Sequence, residues 1–550
     1  MGTPAKLKFD PSGLPAPVAL AASEVAQRIQ RGHTGEELLN QLADLGRLRE
    51  EELTDQRSSG AVFTPYNVAE ELVDRVEIGP GDTVCDPSVG PGVFLLAAAE
   101  RKFQSGESVP SITQNLRGID IDPVSVAVAR STLQLWAAWR GDHWPTMDSI
   151  VEGDALTQTP REWYGNCDAV VGNPPFLGQF KSDTARDKRR SAVLKEHFGP
   201  RYNGYIDESM LFVLLGIELG HQKSRIALII PTSVLGSDSS QAAREWIDKT
   251  LPPKALWLGG RSIFDTATVD VSAPILGGSR RSYCEVLRHR SEKTLQIARP
   301  PDGQWASLLA AANGTPRVQL TGRHTLSDAA DISADFRDAY YWLAKRVTEG
   351  EVADSRPRLA TVGLIDPFHY MYGELEIRFA KQRFRRPVIE IEDQPPRPLA
   401  NWLLRRSNPK VLVATQTRVI ECYADQRGDV LPSTPLITIT PTDRTRLWHL
   451  LAAVASPAAS AWAVTAAAGT GLSQETVRLR ASLLAELPLP APSKGWDEGA
   501  ELARQIQSSG RNPDTITQFG EVMNRAYNTP SDELLQWWTQ RIQKKTPLTS

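Results

Sequence analysis

The amino-acid sequence predicts an α/β fold in the first half of the chain, with a mixed, mainly parallel sheet. Four short apolar runs there have the small and β-branched residues typical of buried strands, and segments of helical periodicity lie between them. Each run ends in a polar residue, namely Asp86, Asp120, Asp154 or Asn173. Because the carboxyl ends of parallel strands meet at one edge of a sheet, these four side chains should line a common ligand crevice.

Length and hydropathy indicate the broad class of protein. With 550 residues the chain is too long for one core, and a prior of ~150 residues per domain gives roughly three to four units. No run of eighteen apolar residues occurs, and the N-terminus lacks the apolar core of a signal peptide. We therefore expect a soluble, cytoplasmic protein without a membrane segment.

Cysteine, histidine and charge content argue against several kinds of site. The four cysteines are far apart and form no C-x-x-C pair, which is typical of reduced, buried thiols. The eight histidines are scattered, so no metal site is predicted. The net charge of −3 and the pI near 6.3 argue against a wholly basic nucleic-acid coat protein but permit a local basic surface.

The elements that open the chain are helical. Residues 18–52 carry apolar residues at helical spacing and predict two helices, which would cap the following domain. Thr64-Pro65 then predicts an N-cap followed by a proline in the first helical turn, ahead of an apolar stripe over residues 67–76.

The turn after the first strand carries Gly90 and Gly92, which would let the backbone pass close to a ligand. Asp86, at the end of that strand, can accept a hydrogen bond from a cationic amine. A lone G-x-G is a weak signal, but the next strand ends in Asp120 at the distance that a βαβ unit requires, and its carboxylate would accept both ribose hydroxyls. Asp122 directly precedes a proline and suits the role of helix cap better.

The third strand ends in Asp154, which could accept from an adenine amine, and the fourth ends in Asn173-Pro174-Pro175-Phe176. The prolines favour extended backbone, so the Asn173 amide and the Pro174 carbonyl can project together past the strand end. Two such acceptors would help to localise the lone pair of an adenine N6 amine, and Phe176 offers a face for an extruded base. Alone, an Asn-Pro-Pro-Phe pattern is more often an ordinary turn after a strand. The motifs upstream are what favour a catalytic role.

In this order, the motifs over residues 57–290 resemble those of S-adenosylmethionine-dependent DNA adenine-N6 methyltransferases, the N-6 DNA methylase family. The resemblance implies that Asn173, Pro174, Pro175 and Phe176 are catalytic. Phe176 replaces the commoner Tyr, which keeps the aromatic face and loses a hydroxyl. The resemblance also implies that S-adenosylmethionine is held by Phe63, Thr64, Asp86, Pro87, Gly90, Gly92, Asp120, Ile121, Asp154 and Ala155.

Two basic segments are candidates for contact with double-stranded DNA. Residues 181–201 hold seven Lys or Arg against three acids, which suits either a solvated helix or a clamp beside the site. Residues 374–410 hold nine against five and interleave Phe379 and Phe384, which suits phosphate contact plus base stacking; a charged rim on an ordinary β domain is the alternative. The candidate contacts are Lys181, Lys188, Arg189, Arg190, Arg383, Arg385 and Arg386.

The predicted organisation has five parts. A helical segment (1–56) precedes the catalytic domain (57–290), whose last strands, 268–276 and 282–287, are expected to form a hairpin. A connector (291–355) leads to an α+β target-recognition domain (356–492), which also resembles its counterpart in this family and in fused restriction-methylation enzymes, although less closely. A helical tail (493–550) follows, and its Trp537 and Trp538 are expected to pack in a core.

The predicted function is site-specific methylation of adenine N6 in DNA, in a restriction-modification or phage-defence context with a separate restriction or defence protein as a possible partner. Methyltransferases for RNA or protein glutamine share the catalytic pattern, but they generally lack a large second domain. A non-catalytic DNA-binding subunit should have lost some of the motif residues, yet all are intact. Only ~60 residues, mostly helical, precede Thr64 and they carry no P-D…E-x-K pattern, so we expect no intrinsic nuclease. Because the chain has both a cofactor-binding half and a candidate recognition half, we expect it to need no separate specificity subunit.

Overall fold

In a computed structural model of the protein, the described residues are 9–54, 63–141, 144–176, 188–260, 263–264, 269–278, 280–334, 337–392, 395–471 and 476–542. The chain divides into two compact units, Met1–Leu308 and Leu309–Ser550. Lys181 and the side chain of Lys188 lie outside the described residues.

The first unit is built on one ten-stranded sheet. Its strands are β1 (Val84–Asp86), β2 (Leu116–Asp120), β3 (Ile150–Glu152), β4 (Cys167–Gly172), β5 (Gly220–Leu228), β6 (Ile230–Pro231), β7 (Pro253–Gly260), β8 (Val271–Leu276), β9 (Tyr283–Arg288) and β10 (Thr294–Ala298). The order is β10-β9-β7-β8-β5-β4-β1-β2-β3, and β6 pairs with β8. The run from β3 to β5 is parallel, whereas β8 pairs antiparallel with β5 and β7, so the predicted mixed sheet is confirmed.

Helices connect these strands and precede the sheet. They are α1 (Ala16–Gln30), α2 (Glu36–Thr54), α3 (Tyr66–Val76), α4 (Val93–Gln104), α5 (Val109–Gln114), α6 (Pro123–Gly141), α7 (Ala155–Gln158), α8 (Lys188–Phe198), α9 (Glu208–Leu219) and α10 (Gln241–Thr250). The two predicted N-terminal helices are confirmed as α1 and α2. Their apolar faces, including Val18 and Leu42, are buried in the same core as α3, α4 and α6.

Strand β4 leads into the Asn173-Pro174-Pro175-Phe176 loop. Ala169, Val170 and Val171 have no exposed surface, as expected for a strand covered on both faces. Val170 pairs with Cys85 of β1 on one side and with Ile226 of β5 on the other. Hydrogen bonding on both sides fixes the point at which the chain leaves the sheet at Gly172.

The predicted hairpin of the last strands is wrong. β8 leads towards β9 through Gly277 and Gly278, but β7 lies between the two strands and pairs with both. Gly277 has φ +106°, and a Cβ there would lie 2.4 Å from the carbonyl oxygen of Ser224. The glycine therefore serves a close approach to β5, and β9 joins β7 in parallel.

The second unit contains two four-stranded sheets and three two-stranded sheets among its described residues. The strands are β11 (Ala330–Ala334), β12 (Val347–Glu349), β13 (Arg358–Ala360), β14 (Ile365–Asp366), β15 (His369–Tyr370), β16 (Ile377–Phe379), β17 (Gln382–Phe384), β18 (Pro387–Ile389), β19 (Lys410–Ala414), β20 (Gln416–Thr417), β21 (Cys422–Asp425), β22 (Val430–Pro432), β23 (Leu436–Pro441) and β24 (Val477–Arg478). The larger sheets have the orders β11-β23-β19-β21 and β12-β18-β13-β22.

The remaining helices begin with α11 (Ala306–Ala312), within which the chain passes from the first unit to the second. They continue with α12 (Leu326–Ala329), α13 (Arg337–Leu343), α14 (Arg397–Arg406), α15 (Leu447–Ala455), α16 (Pro457–Ala467), α17 (Ala481–Ala485), α18 (Lys494–Ser509), α19 (Pro513–Ala526) and α20 (Asp532–Ile542). Trp537 and Trp538 are buried in the core that α15, α16, α18 and α19 share with α20, which confirms their predicted role.

The described residues contain neither a single membrane-spanning helix nor a cluster of metal-binding side chains. No single helix is long and apolar enough to cross a membrane, and the consecutive segments Arg444–Ala455 and Pro457–Ala467 pass that test only as a pair bent by 58°. Within the same ranges, no group of three or more His, Cys, Asp or Glu side chains is placed to hold a metal ion.

Candidate active site

A cavity of about 670 Å³ lies in the first unit and is lined by the ends of β1, β2, β3 and β4. Its volume is in the range of sites for small organic ligands. Most of the residues predicted for the site line this cavity: Phe63, Thr64, Asp86, Pro87, Gly90, Asp120, Ile121, Asp154, Ala155, Asn173, Pro174, Pro175, Phe176 and Arg190.

Gly92 does not line the cavity. It is the N-cap of α4 with φ +95°, and a Cβ there would lie 3.0 Å from the Cβ of Ala129 on α6. Glycine at this position therefore serves a left-handed turn and close helix packing. The prediction that Gly92 brings backbone near a ligand is not supported by this geometry, whereas Gly90 does lie in the wall.

Asp86 is the most enclosed acid of the cavity, with 1% of its surface exposed. Its Oδ1 accepts hydrogen bonds from the backbone N–H of Ser88 at 2.9 Å and from the Ser88 hydroxyl at 3.3 Å. Burial nevertheless dominates and raises the pKa of Asp86 to about 8. A cation placed beside this carboxyl group would favour its ionised form.

Asp120 joins two turns of the site. Its Oδ2 accepts from the backbone N–H of Gly90 at 2.8 Å, and its Oδ1 accepts from the backbone N–H of Asp122 at 2.9 Å. Burial raises the pKa of Asp120, and these backbone hydrogen bonds oppose that effect. The next side chain, Ile121, is 71% exposed and presents an apolar face at the cavity.

Asp122 caps α6, as predicted. Its carboxylate accepts from the backbone N–H groups of Val124 at 3.3 Å and Ser125 at 3.0 Å, and it forms an ion pair with Arg49 of α2 at 3.1 Å. The sequence had not indicated Arg49 or Ser125 as site residues, although both line the cavity.

Thr64 does not cap α3, because Pro65 is the N-cap and no side-chain cap is formed. The hydroxyl of Thr64 instead accepts a hydrogen bond of 3.0 Å from Nδ2 of Asn173. The sequence-based N-cap prediction is therefore wrong at this residue. Thr64 is 4% exposed and belongs to the wall of the cavity together with Asn173.

The Asn173-Pro174-Pro175-Phe176 loop follows β4 directly. Pro174 is buried, and Pro175 and Phe176 are partly buried at the cavity. The ring of Phe176 lies 6.3 Å from the ring of Phe264, at an interplanar angle of 57°. Phe176 also packs on the core of the unit, so its ring is held by contacts on the protein side.

Asp154 has two partners in the cavity wall. It caps α7 by accepting from the backbone N–H of Leu156 at 3.1 Å, and it forms an ion pair of 2.8 Å with Arg190 of α8. Arg190 also reaches Glu208 of α9, at 2.5 Å. Burial alone would lower the pKa of Arg190, but hydrogen bonds to Glu208 and Asp154 raise it, so the guanidinium stays charged.

Further lining residues were not indicated by the sequence, including Ser88, Val89, Glu208 and Phe212. Glu208 is the first residue of the strongly apolar helix α9. An acid there is explained equally well by its favourable interaction with the helix dipole. No pattern distinguishes that role from a place in the cavity.

The other predicted DNA contacts lie on two surfaces. Arg189 is exposed on α8. In the second unit, Arg383 and Arg385 are exposed and Arg386 is partly buried around the β16–β17 hairpin. Phe379 and Phe384 of that hairpin are buried, with 5% and 6% of their surface exposed, so the predicted base stacking on these two rings is wrong. Strand alternation directs them to the core.

Part of the first unit is similar to a known protein family. Residues 47–254 match the model of the N-6 DNA Methylase family. The chain is 24% identical over 197 residues to the Type I restriction enzyme EcoEI methylase subunit of Escherichia coli, covering 34% of this chain and 37% of that protein. It is 30% identical over 135 residues to the Type II restriction enzyme and methyltransferase RM.BcgI of Heyndrickxia coagulans, covering 24% and 20%. These matches span less than two fifths of either relative.

Solved structures with the same fold cover more of the chain. The Type IIL restriction-modification enzyme MmeI, in complex with DNA, has a TM-score of 0.54 at 13% identity over 97% of this chain and 79% of that one. The DrdV–DNA complex has a TM-score of 0.52 at 13% identity over 90% and 61%. Both likenesses concern the fold. The segment that matches the N-6 DNA Methylase model, residues 47–254, contains the four strands whose ends line the cavity.

Proposed function

We propose that this protein transfers a methyl group from S-adenosylmethionine to the N6 amine of adenine at a specific site in double-stranded DNA. One observation carries the proposal. The Asn173-Pro174-Pro175-Phe176 loop lines the same cavity as the three acids that end or follow the neighbouring strands, Asp86, Asp120 and Asp154. A methyl acceptor held by the loop would therefore be close to a ligand held by the acids.

The cavity fits the cofactor in size and in chemistry. The volume of about 670 Å³ suits a ligand of this size. Asp120 has carboxylate lone pairs for ribose hydroxyls, Ile121 offers an apolar surface for a purine ring, and Asp86 suits the cationic end. When bound, S-adenosylmethionine supplies an electrophilic methyl group on a sulfonium centre.

The catalytic loop would act on the target amine through hydrogen bonds. Asn173 Oδ1 and the carbonyl of Pro174 would accept its two N–H bonds and direct the nitrogen lone pair at the methyl group. The hydrogen bond from Asn173 Nδ2 to Thr64 fixes the amide plane before the base arrives. Positioning and electrostatics would then supply most of the rate.

The target base would have to leave the duplex to reach this loop, because the N6 amine cannot be approached in line within a stacked base pair. Phe176 would receive the extruded ring on its cavity side. Its contact with Phe264 and with the core holds the ring in place.

We propose the second unit as the main DNA-reading part, with residues 356–492 as the target-recognition domain and residues 57–290 as the catalytic domain. Arg378 and Arg383 are exposed and lie directly opposite each other in the β16–β17 hairpin. Like charges facing each other destabilise a strand pair, and the ion pair of Arg383 with Glu376 at 2.9 Å offsets only one of the two charges, which favours an anionic partner for this surface. Phosphate groups of DNA are such a partner, and Arg385 extends the basic surface.

The biological setting that we propose is a restriction-modification or phage-defence locus, in which another protein cuts unmodified DNA. The chain would modify its site without a separate specificity subunit. Single-molecule sequencing of DNA from cells that express only this chain tests this directly. Modified adenine in one defined motif supports autonomous action, and unmodified DNA contradicts it.

The reaction itself is tested with purified protein and methyl-labelled cofactor, offered separately to DNA, RNA and protein. We expect label in DNA alone, recovered as N6-methyladenine after hydrolysis. Asn173→Ala should retain cofactor binding and lose transfer. Asn166→Ala is the matched control, since Asn166 caps a local turn through Glu162 and does not line the cavity. Label in RNA or protein alone, or parental transfer by Asn173→Ala, would contradict the proposal.

A further inference from the structure

Glu208 is a buried carboxylate that uses only half of its hydrogen-bonding capacity. Its side chain is 4% exposed, and Oε1 pairs with Nη2 of Arg190 at 2.5 Å. Oε2 is also buried, and no hydrogen-bond donor in the described part of the chain contacts it. A buried carboxylate oxygen without a donor is costly, so such an atom in a cavity wall indicates that a ligand supplies the donor.

The position of Glu208 indicates which end of the cavity it serves. Arg190 bridges Glu208 and Asp154, so one guanidinium group brings the two carboxylates together. Asp154 follows β3, which is separated from the catalytic strand β4 by β2 and β1. The Glu208–Arg190–Asp154 group therefore lies towards the end of the site away from the methyl acceptor.

The charge of this group restricts the ligand. Two carboxylates and one guanidinium carry a net charge of −1, and the atom left over is an acceptor. An exocyclic amine satisfies such a site because its two N–H bonds point outward in one plane. A carbonyl oxygen in the same place would face carboxylate oxygens, because Nε and Nη2 of Arg190 already donate to the two carboxylates. The requirement is therefore for a 6-aminopurine over a 6-oxopurine.

Resting on the proposed use of S-adenosylmethionine, we infer that Glu208 determines specificity for the base of the cofactor. Its Oε2 accepts one N–H of the 6-amino group, and Asp154 accepts the other. Arg190 is a positioning residue that holds both carboxylates and neutralises one of them. Phe212, one turn further along α9, lines the cavity next to this group.

The inference is tested by equilibrium binding of S-adenosylhomocysteine and its inosine counterpart to the full-length protein. A site built to bind an amine should prefer the adenosine compound by about 100-fold or more. Glu208→Gln keeps the size of the side chain and replaces an oxygen with an NH₂ donor. We expect it to weaken adenosine binding about tenfold and to strengthen inosine binding, so that the preference falls to near unity.

Two further variants keep the result interpretable. Glu208→Asp keeps the charge but withdraws the oxygens, and it should reduce the preference even if the glutamine variant folds poorly. Glu218→Gln is the matched control, because Glu218 lies on the same helix and pairs with Arg201 and His197, outside the cavity. It should keep the parental preference.

The outcomes separate the two proposals. If the parental protein prefers the adenosine compound and both Glu208 variants keep that preference, the role of Glu208 is refuted while the methyltransferase proposal stands. If the parental protein binds neither compound and transfers no methyl group, the proposed function is refuted, and the inference about Glu208 is refuted as well because it depends on that function. A collapse of the preference in both Glu208 variants, with methyl transfer by the parental protein, supports both.

Discussion

Nδ2 of Asn173 donates a hydrogen bond of 3.0 Å to the hydroxyl of Thr64, a residue 109 positions earlier in the chain. The bond joins the loop after β4 to the segment that enters α3. In the proposed reaction, Oδ1 of Asn173 is the amide atom that accepts from the target amine. The orientation of the amide thus depends on a residue outside the catalytic motif.

Thr64→Val should therefore impair methyl transfer more than cofactor binding. Losing this one hydrogen bond should slow single-turnover transfer about tenfold, corresponding to ~1.4 kcal/mol. Thr64→Ser retains the hydroxyl and should stay near the parental rate. Equal rates for the valine and serine variants would show that the bond does not orient Asn173.

Cofactor affinity should rise with pH because the pKa of Asp86 is raised to about 8. In the free protein the carboxyl group is mostly protonated at pH 6, and a bound cation favours the carboxylate, so binding releases a proton. Affinity should then increase about tenfold per pH unit between pH 6 and 7 and level off above pH 8. Calorimetry in buffers of different ionisation enthalpy measures the released proton, and Asp86→Asn should abolish both the slope and the release.

Gly172→Ala should displace the carboxyl group of Asp86, although the two residues are far apart in the sequence. A Cβ at residue 172 would lie 2.5 Å from Oδ1 of Asp86 and 3.1 Å from the Ser88 hydroxyl. We expect cofactor affinity to fall by about tenfold or more, because the carboxyl group must move away from its hydrogen-bond donors. Gly204→Ala is the control, since a Cβ there meets no atom within 4 Å. Unchanged affinity in the Gly172 variant would argue against a role of Asp86 in binding.

The second unit depends on a buried ion pair between Lys410 and Asp425, which are 0% and 2% exposed. Asp425 also accepts from the backbone N–H groups of Gly428 and Val430. Lys410→Met leaves a buried carboxylate without its cation and should lower the free energy of unfolding by about 3–5 kcal/mol. Arg47→Ala removes an exposed pair with Glu51 and should cost at most ~1 kcal/mol. Urea denaturation followed by tryptophan fluorescence measures both.

DNA affinity should depend on the two opposed arginines of the β16–β17 hairpin. Replacing Arg378 and Arg383 with Ala should weaken binding and reduce the slope of log K against log salt by about 2. Cofactor binding should not change. Arg504→Ala, an exposed arginine on α18 beside Glu501, is the matched control. A parental salt slope in the double variant would remove this hairpin from the DNA surface.

The parts of the fold and site that could be predicted are those that depend on residues close together in the sequence. Short strands ending in Asp86, Asp120 and Asn173 are local patterns, and a parallel sheet brings their ends together whatever the details of packing. The hairpin was mispredicted because pairing of β9 with β7 rather than β8 is a non-local choice.

The functions of individual polar residues were harder to predict. Glu208 and Asp154 are joined through Arg190, and neither of these two ion pairs is encoded by spacing in one helix or strand. The sequence around Gly92 is compatible both with a ligand-binding turn and with a close contact between helices. Only the position of Ala129 in the structure distinguishes the two roles. By contrast, the burial of Phe379 follows from alternation along β16, a local pattern that the local content of basic and aromatic residues does not reveal.

The hydrogen bond between Asp120 and the N–H of Gly90 also affects how fast one ligand can replace another in the cavity. Since the protein itself satisfies this donor, the turn has its shape before any ligand arrives. Entry of a ligand then requires little ordering of backbone, and less of the interaction energy is lost as entropy. The rate at which product leaves and new ligand binds beside Asp120 should accordingly be limited by diffusion and side-chain motion. Refolding of the Gly90 turn should not be needed in each catalytic cycle.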